Sequence, residues 1–161
     1  MKKNAHVSTS LGFGLLSTSI LNLFVSLNVL YFILIIVFYI VGTLNDWLDF
    51  KISIRHERRF LTHSPLSPLL ILIAMLMGLI FAIFDTAIGM FVGFMTYLLF
   101  LLHVILDSLN PSGVPLFPYT RYRIANIPYD DSLLNSLLTW SGIIISIVSL
   151  SWHGASLMMM T

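Results

Sequence analysis

Near the end of an apolar run stands His103-Val-Ile-Leu-Asp107, an imidazole and a carboxylate four residues apart. On a helix, residues i and i+4 share a face, so both side chains point into one site. Such a pair can bind a metal, or the aspartate can orient the histidine that does. A structural pair that merely closes the helix is the plainer alternative. Ionisable side chains close to hydrocarbon are costly, and that favours a functional role. A second cluster runs through Asn45-Asp46-Trp47-Leu48-Asp49, Arg55-His56-Glu57-Arg58-Arg59 and Thr62-His63-Ser64-Pro65. Carboxylate oxygen and imidazole nitrogen together suit zinc, manganese or iron. A basic loop against anionic lipid head groups would account for the arginines alone. It leaves Asp46, Asp49 and His63 without a role. His6 gains meaning only if the chain folds back on itself to bring it near these groups.

The elements that must position these residues are lipid-embedded helices. The chain is 58% hydrophobic and 9% charged, with a mean hydropathy of +0.96. Soluble domains carry roughly 25% charged residues, so these 161 residues cannot cover a globule with a solvated surface. One integral membrane domain over 1–161 is expected. The net charge of +1 and the few clustered basic residues give no nucleic-acid stripe. Cysteine is absent, so a metal would have to be held by His, Asp or Glu.

Leu11–Leu44 is a 34-residue uncharged stretch, and Leu66–Phe84, Ile88–Leu106 and Leu133–Trp152 are further apolar runs. About 20 residues cross a bilayer core of about 30 Å. The first stretch, too long for one crossing, is expected to break near Asn22, Ser26 and Asn28 into a short hairpin or re-entrant pair. A cleaved signal peptide is the weaker reading, because the apolar run outlasts an h-region of about 7–15 residues. The fold expected is an all-α, polytopic transmembrane bundle of four to five membrane segments. Asp85 between the two middle runs reads as a helix cap. Lys2 and Lys3 before the hairpin, and Lys51, Arg55, Arg58 and Arg59 after it, place both its ends in the cytoplasm. Nearly all the ionisable residues then gather at a cytoplasmic face. His153 falls at the other, as an interfacial residue outside the site.

Asn110-Pro-Ser-Gly-Val-Pro-Leu-Phe-Pro118 is a stiff loop after Asp107, expected to wall the site. Arg121 and Arg123 beyond it could bind a substrate phosphate.

Taken in order, an early His (His6), an Asp-containing turn (Asp46, Asp49), Arg55-His56-Glu57-Arg58-Arg59-Phe60-Leu61-Thr62-His63-Ser64 and His103-Val-Ile-Leu-Asp107-Ser108-Leu109-Asn110-Pro111-Ser112-Gly113-Val114-Pro115 form a pattern. It resembles the YdjM-like family of membrane-bound, metal-dependent hydrolases, which are inner-membrane proteins of bacteria with archaeal relatives. That family is in turn similar, remotely, to the all-helical zinc phospholipase C and P1 nuclease superfamily. The resemblance covers about residues 5–120. It implies His6, Asp49, His63, His103 and Asp107 as metal ligands, and zinc as the metal, with manganese the alternative. Two departures stand out. The Asp turn is Asp46-x-x-Asp49 instead of a closer Asp-x-Asp, and no downstream His-x-x-x-Glu pair follows. One or two ions are therefore expected, not three.

The function expected is hydrolysis of a phosphoester, such as a phospholipid or lipid phosphate, by metal-activated water. Asp46, His56 or Glu57 would act as general base or support the ligands, Arg121 and Arg123 would hold the phosphate, and membrane lipids would be the partners. The competing readings are a small carrier or channel component moving protons or ions through the His/Asp cluster, and a non-catalytic membrane scaffold.

Overall fold

The computed structural model describes residues 2–27, 29–52, 59–117 and 120–158. Its elements are α1 (Lys3–Leu21), α2 (Val29–Ile52), the short α3 (Arg59–His63), α4 (Pro68–Ala82), α5 (Thr86–Ser108), a two-stranded hairpin of β1 (Val114–Pro115) and β2 (Arg121–Tyr122), and α6 (Ser132–Met158). The architecture is the expected all-α bundle. Val29–Leu48, Thr86–Ser108 and Ser132–Ala155 are long and apolar enough to cross a membrane, and α4 is a shorter apolar helix.

The chain breaks in the expected polar cluster, where Asn22 and Ser26 interrupt the first apolar stretch; Asn28 lies outside the described residues. Asn22 holds the turn, its side-chain oxygen accepting from the Leu27 amide at 3.0 Å. The resulting hairpin is longer than its apolar stretch suggests. α1 begins at Lys3, and α2 runs on through Asn45 and Asp46 to Ile52. The reason is tertiary. His6 and Asn45 are buried in the bundle, and Asp46 faces His103, so neither helix has to stop where its polar residues begin.

α1 is also the least apolar of the long helices, and it packs among α2, α5 and α6. Where water is scarce, hydroxyls must find partners within the protein. Thr9 and Thr18 donate to the carbonyls four residues back, at 2.7 and 2.8 Å. Small residues then let backbones approach. A Cβ on Gly12 would lie 2.6 Å from the Gly142 carbonyl oxygen of α6, and one on Gly14 would strike the Phe38 ring of α2. Tyr31, Leu34, Phe38, Val92, Leu99 and Phe100 form the centre of the core.

Helix starts are set locally. Asp85 caps α5 as expected, accepting from the Ala87 and Ile88 amides at 2.7 and 3.1 Å. Ser67 caps α4, accepting from the Leu70 amide at 3.2 Å, with Pro68 at the first position. His153 departs from the expected interfacial placement. It is buried, with its ring stacked on Tyr31 at 3.6 Å. Fifteen residues separate Tyr31 from Asp46 on α2, about 22 Å of helix, so His153 lies at the opposite end of the bundle from the clustered acids.

Candidate metal centre

Four separate elements deliver side chains to one point: His6 from the first turns of α1, Asp46 from the last third of α2, His63 from the end of α3, and His103 with Asp107 from the last turns of α5. The Asp107 carboxylate is the hub. Its Oδ1 lies 3.1 Å from His6 Nε2, and its Oδ2 lies 3.3 Å from His63 Nε2 and 3.5 Å from His103 Nε2. His103 Nε2 is also 3.5 Å from Asp46 Oδ1. The His6 and His103 rings stack at 4.1 Å, while His63 meets His103 edge-on at 5.5 Å. All three imidazoles thus present Nε2 to Asp107, and His103 presents it to Asp46 as well.

The His63 and His103 contacts, at 3.3 and 3.5 Å, suit a shared cation better than direct hydrogen bonds, whereas His6 at 3.1 Å is within hydrogen-bond range of Asp107. Ions held tetrahedrally at about 2.0–2.1 Å set neighbouring ligand atoms roughly 3.3–3.4 Å apart, whereas N–H···O bonds cluster near ~2.9–3.0 Å. His103 Nε2 is buried and stands 3.5 Å from a carboxylate oxygen on either side, at the long edge of hydrogen bonding. A buried polar atom held so loosely by both neighbours leaves room for an ion between them. Two donor sets are close enough to hold an ion, His6/His103/Asp107 and Asp46/His63/His103. They share His103.

The motif around His63 serves to aim it. Thr62 Oγ1 is 2.8 Å from His63 Nδ1. A proton on that nitrogen, bonded to the hydroxyl, leaves Nε2 as the free donor atom. Ser64 donates to the Leu116 carbonyl at 3.1 Å and ties the segment to the hairpin. Tyr97 of α5 donates to the Pro65 carbonyl at 2.7 Å. Asn110 donates to Asp107 Oδ1 at 3.4 Å. Gly113, at φ +61°, turns the chain into β1, where any Cβ would lie 2.6 Å from the Tyr122 carbonyl oxygen.

Above the donors opens a cavity of about 330 Å³ lined by Asp46, His63 and Asp107, by Asn110, Ser112, Gly113, Val114 and Pro115, and by Lys3 and Tyr129. The stiff loop is therefore a wall of the site, as expected. The chain has a relative among protein families. The YdjM inner membrane protein family matches it over residues 1–161.

The chain belongs to that family.

No curated protein and no solved structure matches it. For this YdjM family member, the inner membrane location agrees with the three spanning-length helices.

Of the residues singled out in the sequence, His6, Asp46, His63, His103 and Asp107 come together here. Asp46, expected as a base or supporting group, stands within the donor set. It is borne on a helix, where a turn was expected. Asp49 falls on α2 one turn later, but its side chain lies outside the described residues, as do His56 and Glu57 altogether. Arg121 and Arg123 are exposed on and beside β2, and neither lines the cavity. Lys3, Thr62, Ser64 and Tyr129 were not anticipated as contributors. For Thr62 and Ser64 the signal was present, since both flank His63 directly.

Proposed function

We propose that this protein is a membrane-embedded, metal-dependent hydrolase of phosphoesters borne by membrane lipids, working at the cytoplasmic face. The observation that carries the reading is the convergence of three buried imidazoles on Asp107, with His103 Nε2 held only at 3.5 Å from each of Asp46 and Asp107, beside a polar cavity. His6, His63, His103 and Asp107 would hold the metal, zinc being the best match to an imidazole-rich set with carboxylate. When bound, such an ion lowers the pKa of water to about 7 and stabilises charge developing on a phosphoryl oxygen.

The chain's own groups supply the rest. Asp107 is enclosed by three imidazoles, its side chain 19% exposed, and is best suited to holding them in place. Asp46 is 37% exposed and lines the cavity, so it is the better base. The water proton passes to Asp46 as the water oxygen bonds to phosphorus. The P–O bond to the lipid alcohol breaks, and that oxygen takes the proton.

Transporters usually place such sites at mid-span. Here the donors come from helix ends, which favours hydrolysis over carriage. The test is turnover of phosphatidate in detergent micelles, followed as phosphate release. Turnover that ceases with chelator, returns with zinc and is lost in Asp46→Asn supports the reading. No release from any of a panel of lipid phosphoesters, with zinc bound, overturns it.

A further inference from the structure

The 330 Å³ cavity is small for a ligand site, at the low end of the range of about 300–1,000 Å³. It can take a phosphate and a few neighbouring atoms, not a lipid with its chains. A second hollow adjoins it. Ile40, Thr43, Leu44 and Trp47 line a groove of about 560 Å³ whose remaining lining residues are Lys3 and Asp46, and both of these also line the polar cavity. The four residues stand at i, i+3, i+4 and i+7, one stripe of α2. Ile40 and Trp47 are 51% and 54% exposed on a helix long and apolar enough to cross the membrane. The groove therefore opens sideways to lipid, while one end reaches Asp46.

We propose that Lys3 is the phosphate-binding residue of the site and that the Ile40–Trp47 groove seats an acyl chain of the same substrate, which enters laterally from the bilayer. This rests on the hydrolase reading above and supplies its substrate geometry. Three observations support a lipid chain as the occupant. The groove borders the polar cavity across two shared residues, Lys3 and Asp46. Among the described residues, the cation lining both hollows is Lys3, which stands where an anionic head group would pass from lipid to the donors. Trp47, next in sequence to Asp46, is the type of residue that settles at head-group depth, which puts the acids at the level of lipid phosphates. Arg121 and Arg123 do not reach either hollow, so Lys3 takes the role expected of them.

The experiment uses the full-length protein in nanodiscs doped with phosphatidate carrying a photoreactive diazirine in one acyl chain, with matched diacylglycerol as the neutral control. Adducts are located by peptide mass spectrometry. Labelling should concentrate on residues 40–47, with phosphatidate exceeding diacylglycerol by about tenfold, the effect of one charge-assisted hydrogen bond. Lys3→Ala should remove most of that excess. Thr43→Trp, which fills the groove from a partly exposed position, should clear labelling from 40–47. Equal labelling by both lipids, or an excess untouched by Lys3→Ala, overturns the proposal. Phosphate release from dihexanoyl phosphatidate, measured alongside, separates the two ideas. Release with unselective labelling sinks the groove and leaves the hydrolase standing. Selective labelling with no release from either chain length sinks the hydrolase and leaves a lipid-phosphate seat.

Discussion

Thr62→Val isolates the aiming of one ligand. Thr62 is fully buried, and its hydroxyl lies 2.8 Å from His63 Nδ1. Valine keeps the branched shape and removes the only oxygen. Without that bond the imidazole loses its preference for the tautomer that leaves Nε2 free, and its ring can turn away from Asp107. A neutral hydrogen bond contributes about 0.5–1.5 kcal/mol net, or roughly 2- to 13-fold in affinity at about 1.4 kcal/mol per decade. Loss of an outer partner of a metal-ligating histidine typically costs about 10–100-fold. The two ranges overlap near tenfold, so zinc affinity should fall about tenfold. The assay is competition against a chromophoric chelator in detergent. Thr62→Ser retains the hydroxyl and should bind within about twofold of wild type, which separates aiming from packing. A valine variant that binds zinc as tightly as wild type would refute the reasoning, as would a serine variant as weak as valine.

Three further substitutions probe the scaffold. Gly12→Ala sets a methyl 2.6 Å from the Gly142 carbonyl oxygen, a backbone atom that cannot swing aside. It should lower stability by about 1–3 kcal/mol, read as an earlier thermal transition in detergent. Gly154→Ala, with nothing within 4 Å of its new Cβ, should keep or slightly raise the transition, because alanine favours the helix over glycine by about 0.5–1 kcal/mol. Asp85→Ala removes the bonds to the Ala87 and Ile88 amides and should cost about 1 kcal/mol. Its metal content should match wild type, because His103 stands 18 residues beyond Asp85 along α5, about 27 Å.

Local rules in the sequence were enough for part of this. Asp85 was legible as a cap because capping needs only neighbouring amides. The hairpin break was legible because three polar side chains interrupt an otherwise continuous apolar run. His103 and Asp107 were legible because helical spacing alone puts them on one face. What depended on tertiary contact was not. Composition suggests that α2 stops near Asn45, but it continues because Asp46 meets His103 across the bundle. His6, alone in the sequence, reaches the site because α1 and α2 fold back antiparallel and bring its ring onto His103. The same folding buries His153 against Tyr31, where its position near the end of an apolar run pointed to the lipid interface. Lys3 looked like a topology signal only, since nothing local reveals that it stands at the junction of two hollows.

The most direct test of the account is the metal content of the protein purified in detergent without chelators, by elemental mass spectrometry, beside a His103→Ala/Asp107→Ala variant that still folds. The account predicts near-stoichiometric zinc or manganese in the wild type and its loss in the variant. A wild type that carries no metal and takes up none from added zinc would contradict it, as would a variant that retains the ion.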